Sequence, residues 1–454
     1  MCLGALCAVI LDLGCVIFRS RFVLNKISDL YGKGVCKRDQ NGEGPRLAQL
    51  GKSAPCVIVQ FPGMFSQRTN WRLSTNRYTQ VVEEMRAAGE GFIDLTVSNP
   101  TQCGFRYDTE AILRAFQNPK SLTYEPEAKG LLPAREEVVR YYAEDHRVKI
   151  DPDALLLTTS TSEAYSYVFR LLCNAHDEIL VPKPSYPLFD FLADLHDVTL
   201  IPYSLEYAQG WFVDFHSMIR ALTPRTRAVL LVHPNNPTGS FVHGEEVQRL
   251  NELCRERNLA LIVDEVFLDY GFADSPRKSF VANQEVLTFT LSGLSKIAAL
   301  PQMKVAWVAV MGPDSQRHAA LDRLEIIADT YLSLNSATQW AFPTLFGQRR
   351  TVQPQVLDRV RKNYAFLKSA LSGTTTSELL DAEGGWYAVL RIHGDRSDEE
   401  MAIDMARKAH TLVHPGHFYD FPADGHFVLS LIVEPESFRR GVSQLVEFLN
   451  QTSA

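Results

Sequence analysis

The sequence predicts an α/β fold in which a mostly parallel central sheet forms a large cofactor-binding domain, followed by a smaller α+β domain. Three observations predict it. Between about Tyr124 and Val310, short runs of β-branched and apolar residues alternate with helical patterns; the runs lack in–out alternation, as strands covered on both faces do; and the pattern changes past Thr330. In order, the strand candidates are ALLLTT, EILVP, DVTLIPY, AVLLVH, LALIVDE, VLTFTLS and VAWVAV, with helices such as EEVQRLNELCRERN between several of them. Beyond them the helical stretch QPQVLDRVRKNYAFLKSALSG precedes the short alternating strands GGWYAVLRI and HFVLSLIV and a last helix, SFRRGVSQLVEFLN. The expected divisions are an N-terminal extension over 1–60, an N-terminal part of the small domain over 61–115, the large domain over 116–345 and the C-terminal small domain over 346–454.

Composition narrows the class of function. A chain of 454 residues that is 46% hydrophobic and 22% charged can bury a sizeable core, and its net charge of -7 argues against non-specific nucleic-acid binding. Its eight cysteines include no C-x-x-C pair, so a reducing, cytoplasmic compartment and no structural metal are expected. The apolar start MCLGALCAVILDLGCVIF is interrupted by Asp12 and has no basic segment before it, which fits neither a signal peptide nor a membrane span. Five cysteines precede Gln60, whereas a helix-like pattern begins near Met64; residues 1–60 therefore read as a poorly ordered extension, with Met64 as the natural start.

Chemistry is expected just after the strand runs, because ligands of open α/β sheets sit at the carboxyl ends of the strands. After AVLLVH comes PNNPTG, whose prolines stiffen the backbone around Asn235 and Asn236. After LALIV, Asp264 is a carboxylate at the end of a buried strand, a costly place without a cationic or proton-donating partner. After VLTFTL comes SGLSK, and a desolvated Lys296 amine is a nucleophile able to form a Schiff base with an aldehyde. The turn LTTSTSEAY runs into a helix whose free N–H groups attract phosphate. Alone, each has a bland reading as a turn, an ion pair, a surface lysine or a helix cap. In this order they are the parts that pyridoxal phosphate requires: a lysine for the aldehyde, an acid for the ring nitrogen, an amide for the ring hydroxyl and a phosphate cup.

With NNPTG, DEVF and SGLSK in that order, the chain from about Thr96 to its end resembles the class I/II, aspartate-aminotransferase-like pyridoxal-phosphate enzymes of fold type I. The segments LTVSNPT and YEPEAKGLLPAREEVVRYY fit the family's substrate-entry segment and following helix. The resemblance implies that Lys296 is the Schiff-base lysine and proton carrier, Asp264 the partner of the ring nitrogen, Asn236 the donor to the ring hydroxyl and Tyr186 the aromatic stacked on the ring. It implies phosphate contacts from Ser160, Thr161, Ser162, Ser292, Ser295 and Lys304, and from Tyr124 toward a neighbouring subunit, hence a homodimer. Asn99 and Arg391 are the candidates for substrate contact.

Three departures from the family pattern stand out. Phe267 occupies the place of a tyrosine that donates to the ring hydroxyl, and Lys304 that of a phosphate-binding arginine. Val428, in HFVLS, stands where the family has the arginine that clamps the substrate carboxylate. Arg391, His417, His426, Arg106 and Arg68 are the candidates to replace it. The implied activity is transfer of an amino group from an amino acid or amine to a keto acid. A carbon–sulfur lyase or decarboxylase of the same fold is the second reading, separable by keto-acid dependence of turnover. A non-catalytic ligand sensor is the third, disfavoured because the N-terminal segment carries no basic helix-turn-helix pattern.

Overall fold

The computed structural model describes residues 64–71, 73–272 and 278–452, so the expected extension over 1–60 lies outside the described residues. Fourteen strands occur among them: β1 Ile93–Asp94, β2 Leu155–Thr158, β3 Glu178–Lys183, β4 Thr199–Tyr207, β5 Trp211–Val213, β6 Thr226–Val232, β7 Ala260–Asp264, β8 Thr288–Gly293, β9 Ala306–Met311, β10 Ser377–Leu380, β11 Tyr387–Ile392, β12 Thr411–Leu412, β13 His414–Pro415 and β14 His426–Ser430. Eight of them form one sheet in the order β2-β9-β8-β7-β6-β3-β4-β5. From β8 through β4 every pairing is parallel, while β9 runs against both β2 and β8, and β5 folds back on β4. The reversal at β9 has a local cause. Between β8 and β9 the chain makes only the helical turn Leu294–Ile297 and the 3-10 turn Pro301–Met303, too little for the helical crossover that a parallel return needs.

Strands β3, β6, β7, β8 and β9 are buried almost throughout, as their unbroken apolar runs predict. The run DVTLIPY is different. It forms part of β4, which is largely half-exposed because only the short hairpin strand β5 lies beyond it. Along β6, Ala228, Leu230 and Val232 pack with Leu156, Val168, Ile262, Phe289 and Leu324 on one face, while Val229 and Leu231 meet Leu250, Leu253 and Cys254 on the other. This is the period-2 alternation of a strand between two helical layers. Each fully buried aliphatic side chain stabilises the sandwich by roughly 1.5–3 kcal/mol.

A second sheet, β10-β11-β14-β13, is antiparallel throughout and packs with the helices Arg349–Ala370 and Pro435–Thr452. The parallel pair β1 and β12 ties the segment before the large sheet to this C-terminal part. Near the ends of the large-sheet strands the two parts meet: Ser185 N donates to Tyr419 O at 2.9 Å, Lys183 Nζ lies 3.0 Å from Asp420 Oδ2, and Glu383 N donates to Gly239 O at 3.1 Å. Gly239 has φ +70° and lies so close to the Gly384 carbonyl that a Cβ would collide with it, so the last residue of PNNPTG is held to glycine by both backbone angle and space. Among the described residues, no helix is long and apolar enough to cross a membrane.

Candidate active site

The carboxyl ends of β6, β7 and β8 lie side by side, with Val232 opposite Asp264 and Asp264 opposite Leu291. Backbone hydrogen bonds from His233 N to Asp264 O and from Glu265 N to Leu291 O, both 2.8 Å, carry the ladder past the strand ends. The loops that follow therefore present Asn236, Asp264 and Lys296 at one edge.

The two asparagines of PNNPTG do different things. Asn235 is fully engaged: its Nδ2 donates to Pro184 O at 3.1 Å and Thr238 Oγ1 at 2.9 Å, and its Oδ1 accepts from Ser185 Oγ at 3.2 Å. It is the lock of the loop. Asn236 is buried, yet its Oδ1 has no hydrogen-bond partner among the described residues. An orphaned amide oxygen in a buried turn costs about 1–3 kcal/mol, which a bound polar group would offset.

Asp264 ends β7 and is buried. Burial raises its carboxyl to about 6, against the opposing pull of the Val266 N–H, the Tyr165 hydroxyl and the Lys296 charge. Oδ1 accepts from Val266 N at 3.0 Å and Oδ2 from Tyr165 Oη at 2.9 Å. Each oxygen thus has one protein donor and keeps acceptor capacity for a ring N–H. The adjacent Glu265 turns instead to the loop before β8, accepting from Ser279 Oγ and Phe280 N, each at 2.6 Å, and burial pushes it up to about 7.

Lys296 sits in the Leu294–Ile297 turn and is half-buried, with its carbonyl accepting from Tyr270 Oη at 2.6 Å. Its Nζ lies 5.0 Å from the Trp386 ring centroid and 5.4 Å from that of Phe267. Phe267 thus meets the lysine with a ring face and no hydroxyl, and Trp386, from GGWYAVLRI, lies beside it, the two ring centroids 5.3 Å apart. Tyr270 is committed to the lysine backbone and does not supply the missing ring-hydroxyl donor.

The phosphate end is built on the Thr161–Leu172 helix. Ser160 caps it by accepting from Glu163 N at 3.2 Å, and Thr161 and Ser162 sit half-buried at its first, unpaired N–H groups. Ser292 is buried, with Oγ on Glu265 O at 3.4 Å, and Ser295 is half-buried beside the lysine. Lys304 is exposed, at φ +53°. Tyr186 is half-buried, its ring 5.7 Å from Phe189 at 72°. Tyr124 is 76% exposed and borders a cavity of about 270 Å³ with Gly130, Leu157, Ser333 and Gln339.

The substrate-contact candidates make contacts of their own. Arg391 is four residues beyond Tyr387 on β11, about 13 Å along the strand, and its guanidinium lies over the Tyr207 ring at 5.3 Å and 3.7 Å from Glu378. Asn99 caps the 3-10 turn Pro100–Gln102, its Oδ1 accepting from Thr101 N and Oγ1 at 3.1 and 2.7 Å. His417 Nδ1 is 2.9 Å from Asp398, His426 stacks on Phe421 at 4.4 Å, Arg68 pairs with Asp197, and Arg106 is exposed. Val428 itself is fully buried, opposite Val389 and His414, and burial depresses the His414 imidazole to about 3. Two functional neighbours, Tyr165 and Trp386, escape sequence reasoning. Both lie inside stretches that draw attention for other residues, and no spacing rule joins either to Asp264 or Lys296.

An amine facing two neighbouring aromatic rings, a buried carboxylate that feels its charge, an amide oxygen without a partner among the described residues and a hydroxyl-rich helix start fit pyridoxal phosphate. The comparisons agree. Residues 90–443 match the model of the family aminotransferase class I and II. Glutamate-pyruvate aminotransferase AlaA of Escherichia coli K12 is 24% identical over 378 residues, covering 81% of this chain and 93% of that protein. The solved alanine aminotransferase of Pyrococcus furiosus superposes with a TM-score of 0.77 at 22% identity over 85% of this chain and all of that one. S-alkyl-thiohydroximate lyase SUR1 of Arabidopsis thaliana is 28% identical over 206 residues, 45% of this chain and 44% of that protein. The chain belongs to the aminotransferase class I and II family, and it is a pyridoxal-phosphate-dependent aminotransferase.

Proposed function

We propose that the enzyme moves an amino group from an amino acid or amine donor to a keto acid with Lys296 as both covalent anchor and proton carrier, working as a cytoplasmic homodimer. The observation that carries this reading is Lys296 Nζ facing the Phe267 and Trp386 rings with the buried Asp264 close enough to feel its charge. Pyridoxal phosphate, when bound, supplies an electron sink for the carbanion left when a donor loses its Cα proton. Lys296 would hold the group through its amine and, once the donor has displaced that amine, would take and return the proton at the donor Cα, with the two rings limiting its hydration. Asp264 holds a proton on the ring nitrogen. Asn236 would orient the ring hydroxyl, Tyr186 would cover the ring, and the Ser160–Ser162 hydroxyls, Ser292, Ser295 and Lys304 would hold the phosphate.

Several features support the finer parts. Leu122, Tyr124, Ile326 and Tyr331 are exposed, apolar and near the cavity that Tyr124 borders, as expected of a face covered by a second subunit that lends Tyr124 to the neighbouring site. The name of the E. coli relative makes glutamate and pyruvate the first pair to test. The apolar surroundings of Val428 argue for including amines that lack a carboxylate. The likeness to a lyase over 206 residues supports carbon–sulfur elimination as the second reading.

The test is to record the absorbance of the loaded enzyme between about 300 and 500 nm as donors are added without keto acid, beside Lys296→Ala. Conversion of the lysine-bound cofactor to its aminated form by one donor class, with turnover slowed more than roughly 10³-fold in the variant, supports transamination. Steady release of pyruvate and ammonia without an acceptor selects the lyase instead. A lysine-bound band retained in Lys296→Ala would remove Lys296 from its role.

A further inference from the structure

We propose that Tyr165 is a positioning residue of the cofactor site: its hydroxyl holds the Asp264 carboxylate charged and aimed at the ring nitrogen, while its ring, through Phe189, sets the plane of Tyr186. The proposal rests on the assignment of Asp264 to the ring nitrogen. Tyr165 Oη donates to Asp264 Oδ2 at 2.9 Å, and both side chains are buried. The Tyr165 ring meets Phe189 edge-on at 5.2 Å and 67°, and Phe189 meets Tyr186 at 5.7 Å and 72°. Edge-to-face pairs of this kind fix ring orientation as well as burying area.

The helix makes the arrangement more than a local contact. Thr161, Ser162 and Tyr165 fall on neighbouring positions of one helical face, at spacings of three and four residues. One rigid element therefore carries the phosphate hydroxyls at its first turn and the Asp264 donor one turn further in. The distance between the phosphate cup and the acid beneath the ring nitrogen is set by helix geometry rather than by loop flexibility.

The electrostatic part follows from burial. Burial favours the neutral form of Asp264, and the Tyr165 hydrogen bond is one of the few forces opposing it. Burial, then the Asp264 charge, raises the phenol well above its ordinary range, so it remains a donor at working pH. Among the described residues, the other titratable groups acting on this pair are Lys296 on Asp264 and Tyr186 on Tyr165; His233 reaches Asp264 only through its backbone N–H, its imidazole lying between Val242 N and Lys278 O.

The experiment measures the dissociation constant of pyridoxal phosphate for cofactor-stripped enzyme from protein fluorescence, between about pH 5.5 and 9, for wild type, Tyr165→Phe, Asp264→Asn and the double variant. Wild-type affinity should fall as pH drops through the titration of Asp264. Tyr165→Phe keeps the ring contacts and removes one donor to a charged acceptor, so affinity should drop about 10-fold at pH 6.5 and less than about 2-fold at pH 8.5, the acid limb moving to higher pH. In the Asp264→Asn background the same change should have no further effect on the limb. Equal loosening at both pH values, or full additivity with Asp264→Asn, would mean a packing role only and overturn the proposal. If Asp264→Asn leaves the profile unchanged, the assignment of Asp264 fails first and takes the proposal with it. Should Tyr165→Phe not fold, a flat wild-type profile across this range overturns the proposal by itself.

Discussion

The floor of the site, contributed by the large sheet, and the wall behind it, contributed by the small sheet, differ in how their ionisable groups are held. On the floor, acids are buried: burial shifts Asp264 and Glu265 upward, and among the described residues Asn236 Oδ1 has no hydrogen-bond partner. On the wall the ionisable groups are partnered or neutral: His417 is held by Asp398, Arg391 lies on Tyr207 near Glu378, and His414 is kept neutral by burial, while among the described residues Trp386 Nε1 and Ser430 Oγ are buried without a hydrogen-bond partner. A site that must grip one polar cofactor keeps unmet hydrogen-bonding capacity there.

This contrast can be broken from either side. The largest expected effect is on the floor. Asp264→Asn is isosteric and removes the negative charge beneath the ring nitrogen, so the rate of the donor half-reaction should fall roughly 10²–10³-fold in stopped-flow absorbance, with the fold retained by circular dichroism. A change under about 3-fold would show that the floor does not act through charge.

The second test asks whether the floor is strained without its ligand. Glu265 titrates at about 7 in the fold, above its unfolded value, so its contribution to stability is complete below the unfolded carboxylate pKa and is lost as pH rises through 7. For cofactor-free protein, stability should fall by about 2–3 kcal/mol between pH 5 and 8 from this group, and Glu265→Gln should flatten that part of the urea-denaturation profile. Asp264 adds a loss of the same sign through pH 6, which cofactor binding should reverse. An unchanged slope in Glu265→Gln would place the strain elsewhere.

The smallest expected effect is on the wall. Arg391→Ala removes a half-exposed guanidinium whose contacts are Tyr207 and Glu378, so stability should change by less than about 1 kcal/mol and KM for a carboxylate-bearing donor by less than about 2-fold. A rise in KM of about 10-fold or more would restore it as a substrate anchor and erase the contrast.

Much of the floor is legible in the chain because its residues follow strands whose apolar runs announce themselves. PNNPTG, Asp264 and SGLSK each lie just past such a run, and parallel strand ends converge, so order along the chain becomes proximity in space. The wall is less legible. Its strands are short and antiparallel, and whether a residue lies at the site or several residues past it depends on register, which put Trp386 over the lysine and carried Arg391 away.

By itself the sequence determined the α/β class, the order of chemistry-bearing turns and the pyridoxal-phosphate assignment, because these depend on local periodicity and on residues fixed at strand ends. Tertiary structure alone decided the half-exposure of β4, the pairing of Tyr165 with Asp264, that of His417 with Asp398 and the place of Arg391 against Tyr207 and Glu378. Those depend on which side chains meet across 99 residues of chain, as Tyr165 and Asp264 do, and on how much water is excluded when they meet. Neither quantity is written in any local stretch.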